Sequence, residues 1–425
     1  MLLFLIGCAP DPGIEAPPAP VEQEELPYNG SLERQGDRDV LYLWGTRAEI
    51  GYAEGALTCD RVGPLFKAYL LEHLVGEYTD FTYELARAFV LGSTTFDARD
   101  LEELDGYWQG ANEYCTDEQL TIESELIADS PHRLVWEDLL FANAVADFGC
   151  SSFTVWGDAS ATGEMVHGRN FDWAIDPAGT FVADHMLKVY DSTDEGARFV
   201  SVMVPAMQGC VTCVTDESLV LTMHNVSGLT PDETIGISPR MLSARAALAA
   251  TSGADDPVGA AETVLEGRRQ LVGNNLHLAM PVARGDGIGG VVLEVDGAGS
   301  SPDGQVTVRR AGEDAQETRT DVTLAANHYA KRRSDLGDDD SNGRIATLAA
   351  FIDEAPVAAG DGRGMLDSVK NGYDGVTAHS IVFDAATSEL QLYVAPGFDV
   401  PAPEAEPVIF DLNDVFGRLA ELSGD

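Results

Sequence analysis

The sequence predicts an α+β fold, with a helical N-terminal third and a strand-rich remainder. Apolar residues recur at helical spacing from Leu41 to Ala146, whereas after Trp173 short β-prone runs bounded by turn residues dominate. Between the two regions lies GCSSFTVWGDASATGEMVHGRNFDW, Gly149 to Trp173, which reads as strand, turn and strand. Ser152 to Trp156 alternate in β-prone residues, Ala161-Thr162-Gly163 supply the turn, and Met165 to His167 lead out of it.

The elements follow in order. Thr46 is placed to N-cap a first helix, with Glu49 at the capping-box position, and apolar spacing carries it through Leu65, Phe66, Tyr69 and Leu70. A second helix is signalled by Phe96 to Gly106 and a third by Val135 to Asn143. After Trp173, strands are expected at His185–Tyr190, Arg198–Val204 and Ser218–His224. Ser238-Pro239 opens a helix, with Pro at the first helical position where a missing N–H costs nothing, and Asp256-Pro257 opens another. Strands return at Leu276–Met280, Gly290–Val295, Val306–Arg310 and Val322–Ala325, and Ser341–Glu354 reads as helix. His379–Asp384 and Glu389–Val394 form a hairpin around Ala385 to Ser388. Two antiparallel sheets with helices on their outer faces accommodate this order.

Composition narrows the function. At 425 residues the chain has ample length for a sizeable core, and 44% hydrophobic content argues against overall disorder. With 71 acidic against 26 basic residues the formal net charge is −45, which disfavours nucleic acid as a partner because phosphate binding needs a basic face. The acid is spread along the chain, as on a strongly solvated surface. At the start, Leu5-Ile6-Gly7-Cys8 closes an apolar run too short to span a bilayer and resembles the lipobox of bacterial lipoproteins, in which the cysteine is lipidated. No Lys or Arg precedes the run, a departure from the usual signal. The Pro- and Glu-rich stretch Ala9 to Glu25 suits a tether. Residues 1–26 are therefore expected to be signal and tether of a secreted, cell-envelope protein held to the membrane through a lipid on Cys8 only.

On periodicity alone, Cys150 is a buried structural cysteine on an ordinary hairpin. The hairpin nevertheless brings Arg169 or Asp172 back beside it, and a thiol next to a cation and a carboxylate is chemically suggestive. Gly149-Cys150-Ser151-Ser152-Phe153 followed by Gly168-Arg169-Asn170-Phe171-Asp172-Trp173 resembles the start of the mature catalytic chain in the isopenicillin-N acyltransferase-like family of N-terminal-nucleophile hydrolases, distant kin of choloylglycine hydrolases and acid ceramidase. The resemblance extends over roughly residues 40 to 400, through a Gly-x-x-x-Gly helix at Gly51 and Gly55, Leu101-Glu102-Glu103-Leu104-Asp105-Gly106, and a Leu-x-x-x-Asn approach to the cysteine. It implies a four-layer αββα sandwich, self-cleavage between Gly149 and Cys150, a helical pro-segment over 27–149 and a catalytic domain over 150–425. The two fragments are expected to remain together as a heterodimer.

On this resemblance Cys150 is the nucleophile and its freed amine the base, so no Ser-His-Asp constellation is needed. Asp172 orients the amine, and Arg169 stabilises the thiolate or a substrate carboxylate. Asn225, in Asn-Val-Ser-Gly-Leu, and Asn327, in Ala326-Asn327-His328-Tyr329, match the family's oxyanion donors, with Ala326 replacing the usual Thr. Arg344 in Ser341-Asn342-Gly343-Arg344 braces the site or meets substrate. A strand-end salt bridge is the plainer reading of Arg169 and Asp172, and turn formation that of either asparagine. The segment from Asp338 through Asp340, Asn342, Gly343 and Ile345 also fits half an EF-hand loop, but Ala349 stands where the bidentate carboxylate belongs, so a solvated acidic loop is expected and no metal or cofactor is assigned. With Cys8 and Cys150 allotted, four cysteines remain; the expected pairs are Cys59–Cys115 and Cys210–Cys213. The implied activity is cleavage of a small-molecule linear amide through a thioester, with water or an acyl acceptor completing the cycle. Two alternatives stay open: a lipase-like esterase on the same fold, and a non-catalytic surface-binding lipoprotein.

Overall fold

In the computed structural model the described residues are 29–76, 82–144, 149–226, 235–296, 305–313, 317, 319–332, 339–371 and 376–424. Cys8 with the tether, Ser227 to Leu229, and Asp338 lie outside them. Among the described residues the strands form two large sheets and one two-stranded ribbon. The larger sheet runs, edge to edge, Gly30–Gln35, Arg38–Gly45, Met186–Ser192, Ala197–Met203, Thr212–Thr215, Val220–Val226, Gly273–Ala279, Gly290–Val295 and Val306–Arg309. Its pairings are antiparallel except that between Arg38–Gly45 and Met186–Ser192. The second sheet runs Val322–Ala325, Gly149–Val155, Val166–Trp173, Val376–Asp384, Glu389–Val394 and Val408–Asp411, antiparallel throughout.

Side chains from the two sheets meet directly. His277 of the larger sheet bonds to Ser152, Thr154 and Thr323 of the smaller one at 2.7–2.8 Å. Helices 339–354 and 359–368 pack against the smaller sheet, and helices 47–65, 240–251 and 257–266 against the larger. The chain is thus a mixed helix-and-sheet fold whose inter-sheet layer is unusually polar.

Thr46 and Glu49 form the expected capping box at the start of the helix Arg47–Leu65, which continues as a π-helix over Phe66–Val75. This helix crosses Ala98–Tyr114 at very close range. A Cβ on Gly51 or Gly55 would lie 1.9–2.1 Å from backbone oxygens of Glu103 and Tyr107, and one on Gly106 or Gly110 would meet Ala48 and Tyr52 as closely, so only glycine permits the crossing. The Cys59–Cys115 disulfide ties the same two helices, and Cys210–Cys213 is the second bond, as expected.

The structure corrects the helical reading of the N-terminal third at its start. Gly30–Gln35 and Arg38–Gly45 are a hairpin within the larger sheet. Val40-Leu41-Tyr42-Leu43 is a short, fully buried apolar run, a pattern that periodicity alone assigns equally to strand or helix. Asp339 and Asp340 likewise open a helix, Asp339–Glu354, instead of lying in a loop, and Asp340 pairs with Arg344 at 3.0 Å. Helical backbone over Asp340 to Ala349 is incompatible with wrapping that segment around a calcium ion.

Candidate functional site

The site is built on one hairpin. Gly149–Val155 and Val166–Trp173 pair so that Cys150 faces Phe171, Gly149 faces Asp172 and Ser152 faces Arg169. Opposite Phe153, Gly168 leaves room for the ring, since a Cβ there would lie 2.2 Å from it. This fixes the register, and with it the side chains around the cysteine.

Cys150 is fully buried and is the free cysteine among the described residues. Arg169 Nη2 donates to its Sγ at 2.6 Å, its main-chain N donates to Asn327 Oδ1 at 3.0 Å, and its carbonyl accepts from Arg344 Nη1 at 2.8 Å. Sulfur, nitrogen and carbonyl are thus each held by a different side chain, from three separate parts of the chain. Asp172 accepts from Thr377 Oγ1 at 2.6 Å and lies 3.5 Å from Arg344.

The electrostatics are those of groups denied their preferred ionisation. Burial pushes the Cys150 thiol up to about 11, with Arg169 opposing. Burial likewise raises Asp172 against the pull of Arg344, and lowers Arg169 against that of Cys150. At neutral pH the thiol of the intact chain is therefore protonated and needs a base to become a nucleophile.

Five expected residues, Cys150, Arg169, Asp172, Asn327 and Arg344, come together in direct contact. Asn225 joins them through its main-chain oxygen, which accepts from Asn327 Nδ2 at 2.7 Å; its side-chain oxygen accepts from Arg240 at 3.0 Å. The orientation of the Asn327 amide follows from its partners: Arg344 Nη2 only donates, and donates to Oδ1 at 2.8 Å, while the Asn225 carbonyl only accepts. Asn327 therefore presents an acceptor, not a donor, to the nitrogen of Cys150. Asn225, Asn327 and Arg344 are half-buried and form the side of the site nearest solvent.

Several partners escape sequence reasoning. Ser341 Oγ accepts from the main-chain N of Asn327 at 2.9 Å, Thr377 holds Asp172, and Thr212, His379 and the carbonyl of Met223 surround the Arg169 guanidinium. They arrive from strands and a helix distant in sequence; Ser341 stands out beforehand only as the start of the Ser341-Asn342-Gly343-Arg344 stretch, and the others sit in no recognisable local pattern.

No protein-family model and no curated protein matches the chain. Among solved structures, an N-acylethanolamine-hydrolyzing acid amidase ortholog from Caenorhabditis elegans is similar with 14% identity and a TM-score of 0.39, over 55% of this chain and 92% of that one. A conjugated bile acid hydrolase from Clostridium perfringens gives 9% identity and 0.36, over 62% and 93%. A penicillin V acylase from Agrobacterium tumefaciens gives 15% identity and 0.37, over 58% and 83%. Likenesses this slight leave the functional reading to rest on the geometry.

Proposed function

We propose that the protein is a self-processing cysteine amidohydrolase or acyltransferase of the N-terminal-nucleophile type, built as a four-layer αββα sandwich. The observation that carries the reading is that one residue, Cys150, has both its sulfur and its main-chain nitrogen held, by Arg169 and Asn327 respectively. A structural cysteine needs no cation on its sulfur, and a buried strand nitrogen is ordinarily satisfied by a neighbouring strand's carbonyl, not by a side-chain amide.

In processing, Sγ attacks the carbonyl carbon of Gly149 and its proton passes to the departing nitrogen. The Gly149–Cys150 amide breaks as the thioester forms. Water then adds to the thioester and releases a Gly149 carboxylate, leaving Cys150 with a free thiol and amine. Turnover repeats the sequence on an external amide, with the Cys150 amine taking the thiol proton and passing it to the leaving amine. An amine near ~7.7–8.0 is matched to this task at neutral pH. In this scheme Asn327 Oδ1 and Asp172 hold the amine, Arg169 stabilises the thiolate, Asn225 supplies a donor to the developing oxyanion, and Arg344 braces Asn327 and Asp172.

The fragments on either side of the cut are expected to stay associated. The strand Arg38–Gly45 is paired with Met186–Ser192, and buried ion pairs join Glu54 to Lys188 and Glu103 to Arg245 across the proposed cut. The two disulfides suit an oxidising compartment, in keeping with a secreted protein anchored through Cys8.

The deciding measurement is intact mass with N-terminal sequencing of wild type and Cys150→Ala. Two fragments in the wild type, one beginning at Cys150, with the variant left whole, are the expected result. A folded wild type that stays in one piece removes the amine base and sinks the proposal. Matched amide and ester substrates then separate amidase from esterase.

A further inference from the structure

Behind Arg169, on the side away from Cys150, lies a chain of hydrogen bonds that the reaction scheme does not use. His185 Nδ1 is 2.8 Å from the carbonyl of Phe181, His185 Nε2 is 3.1 Å from His379 Nδ1, and His379 Nε2 is 2.8 Å from Thr212 Oγ1 and 3.3 Å from Arg169 Nη1. Arg169 Nη1 also donates to Thr212 Oγ1. All four side chains are buried, and the ring of Phe171 stacks on His379 at 4.6 Å while lying 4.8 Å beneath the guanidinium.

The direction of every bond follows from the fixed end. A carbonyl only accepts, so His185 carries its proton on Nδ1. Burial, with Arg38 and Arg169 as the charged groups that act on the pair, keeps both imidazoles neutral. His185 Nε2 is then an acceptor, which requires the His379 proton on Nδ1 and leaves His379 Nε2 as an acceptor too. That lone pair takes the Thr212 hydroxyl proton, and the Thr212 oxygen in turn takes the Arg169 Nη1 proton. A proton added to either imidazole would set donor against donor beside a guanidinium.

We propose that His379, aligned by His185 and acting with Thr212, is a positioning residue that fixes the Arg169 guanidinium against the sulfur of Cys150. This rests on the reading of Cys150 as the nucleophile, but its test does not. The readout is the rate at which methyl methanethiosulfonate modifies Cys150 between pH 6 and 9, followed by the mass of whichever chain carries Cys150 in the folded protein. Wild type and variants are compared in the same processing state, with Cys150→Ala as the blank. Only the thiolate reacts, so the rate reports how well Arg169 is held.

His379→Leu is expected to slow modification about tenfold, the equivalent of one pH unit in the thiol, and His379→Gln, which restores an acceptor, to recover most of the rate. Mere loosening of the core would expose the sulfur and speed the reaction, so the sign separates positioning from packing. A His379→Leu rate equal to or above wild type overturns the proposal. Where His379→Leu does not fold, Thr212→Val against Thr212→Ser decides the same question: slowing by Val alone supports the relay, and equal rates overturn it. A wild type that neither self-cleaves nor turns over amides sinks the proposed function while leaving these rates, and the relay, to be judged on their own.

Discussion

Two buried polar regions of this molecule obey opposite rules. Beneath the N-terminal helices, Arg47 meets Asp100, Glu103 and Glu195 at 2.5–2.8 Å, and Arg245 meets Glu103 and Glu195 at 2.8–2.9 Å. Burial alone would discharge Arg245 and Glu195, but the carboxylates hold Arg245 well above its usual range, and Arg245 and Arg47 hold Glu195 below its own; Asp100, at the edge of the cluster, is raised by burial. Around Cys150 the balance tips the other way. Arg169 is held by a thiol, a hydroxyl, an imidazole and a carbonyl, and burial disfavours the charged forms of Cys150, Asp172 and Arg169 alike. The first arrangement satisfies its charges at Arg245 and Glu195 and holds elements together. The second leaves them unsatisfied, which is how a site prepared for proton transfer differs from an ion-pair staple.

Acid provides the sharpest separation of the two. Five histidines in and beside the inter-sheet layer are buried: burial holds His167 near about 3 and His185 near about 4, and His224, His277 and His379 well below the usual value. Unfolded, each titrates near ~6.5, so below that pH the unfolded chain binds the extra protons. Their contribution is fully present above ~6.5 and is lost as pH falls towards the folded values, at up to about 1.4 kcal/mol per pH unit for each. Asp172, Asp100 and Asp184, raised by burial, act with the opposite sign and offset part of it. Thermal unfolding followed from pH 8 to 5 should show a steep fall in Tm below pH 6.5. A level Tm across that range would mean the histidines are not held neutral.

Substitution by methionine tests the contrast residue by residue. Arg245→Met leaves Glu103 and Glu195 buried with less countercharge and should destabilise the fold by about 3–5 kcal/mol in denaturant titration. Arg169→Met leaves Asp172 its contacts with Arg344 and Thr377, so stability should stay within about 1.5 kcal/mol of wild type while self-cleavage is lost. Equal destabilisation by both would erase the distinction. Asp172→Asn asks less of the protein. It keeps the shape and removes only a carboxylate that burial already disfavours, so stability should hold or rise while self-cleavage slows about a hundredfold, some 2.7 kcal/mol in the barrier. Cleavage kinetics by gel or mass would show it, and an unchanged rate would remove Asp172 from the processing step.

What the sequence made legible follows the same division. The hairpin with Cys150, Arg169 and Asp172 could be read because a two-stranded register is local: Gly149 to Trp173 carries its own turn and its own alternation. Thr46 with Glu49 and the Pro-led helices were readable for the same reason. Thr212, Thr377 and His379 were not, because their roles exist only once distant segments meet, and a lone Thr or His in a strand carries no signal of what lies opposite. The strand Arg38–Gly45 was hidden by its own burial, which erases the alternation that marks half-exposed strands. The ion-pair staple was equally invisible: Arg47, Glu103 and Arg245 look like any surface charges until the close helix crossing at Gly51 and Gly55 draws them inside.

Salt should produce the smallest effect and still distinguish buried from surface charge. The formal net charge of −45 is spread over the chain, so at low ionic strength the folded surface repels itself. At 1 M salt the screening length falls to about 3 Å, which relieves that repulsion but barely reaches ion pairs sealed from solvent. Raising NaCl from 0.05 to 1 M at pH 7.5 should therefore stabilise the protein by about 1 kcal/mol, roughly 1–2 °C in Tm at this chain length. The Arg245→Met variant should gain as much as wild type, because the lost pairs are not the screened ones. A fall in Tm with salt would instead mean that exposed pairs such as Arg418–Glu33 and Lys331–Glu313 outweigh the repulsion, and that surface charge, like the buried staple, is arranged to attract.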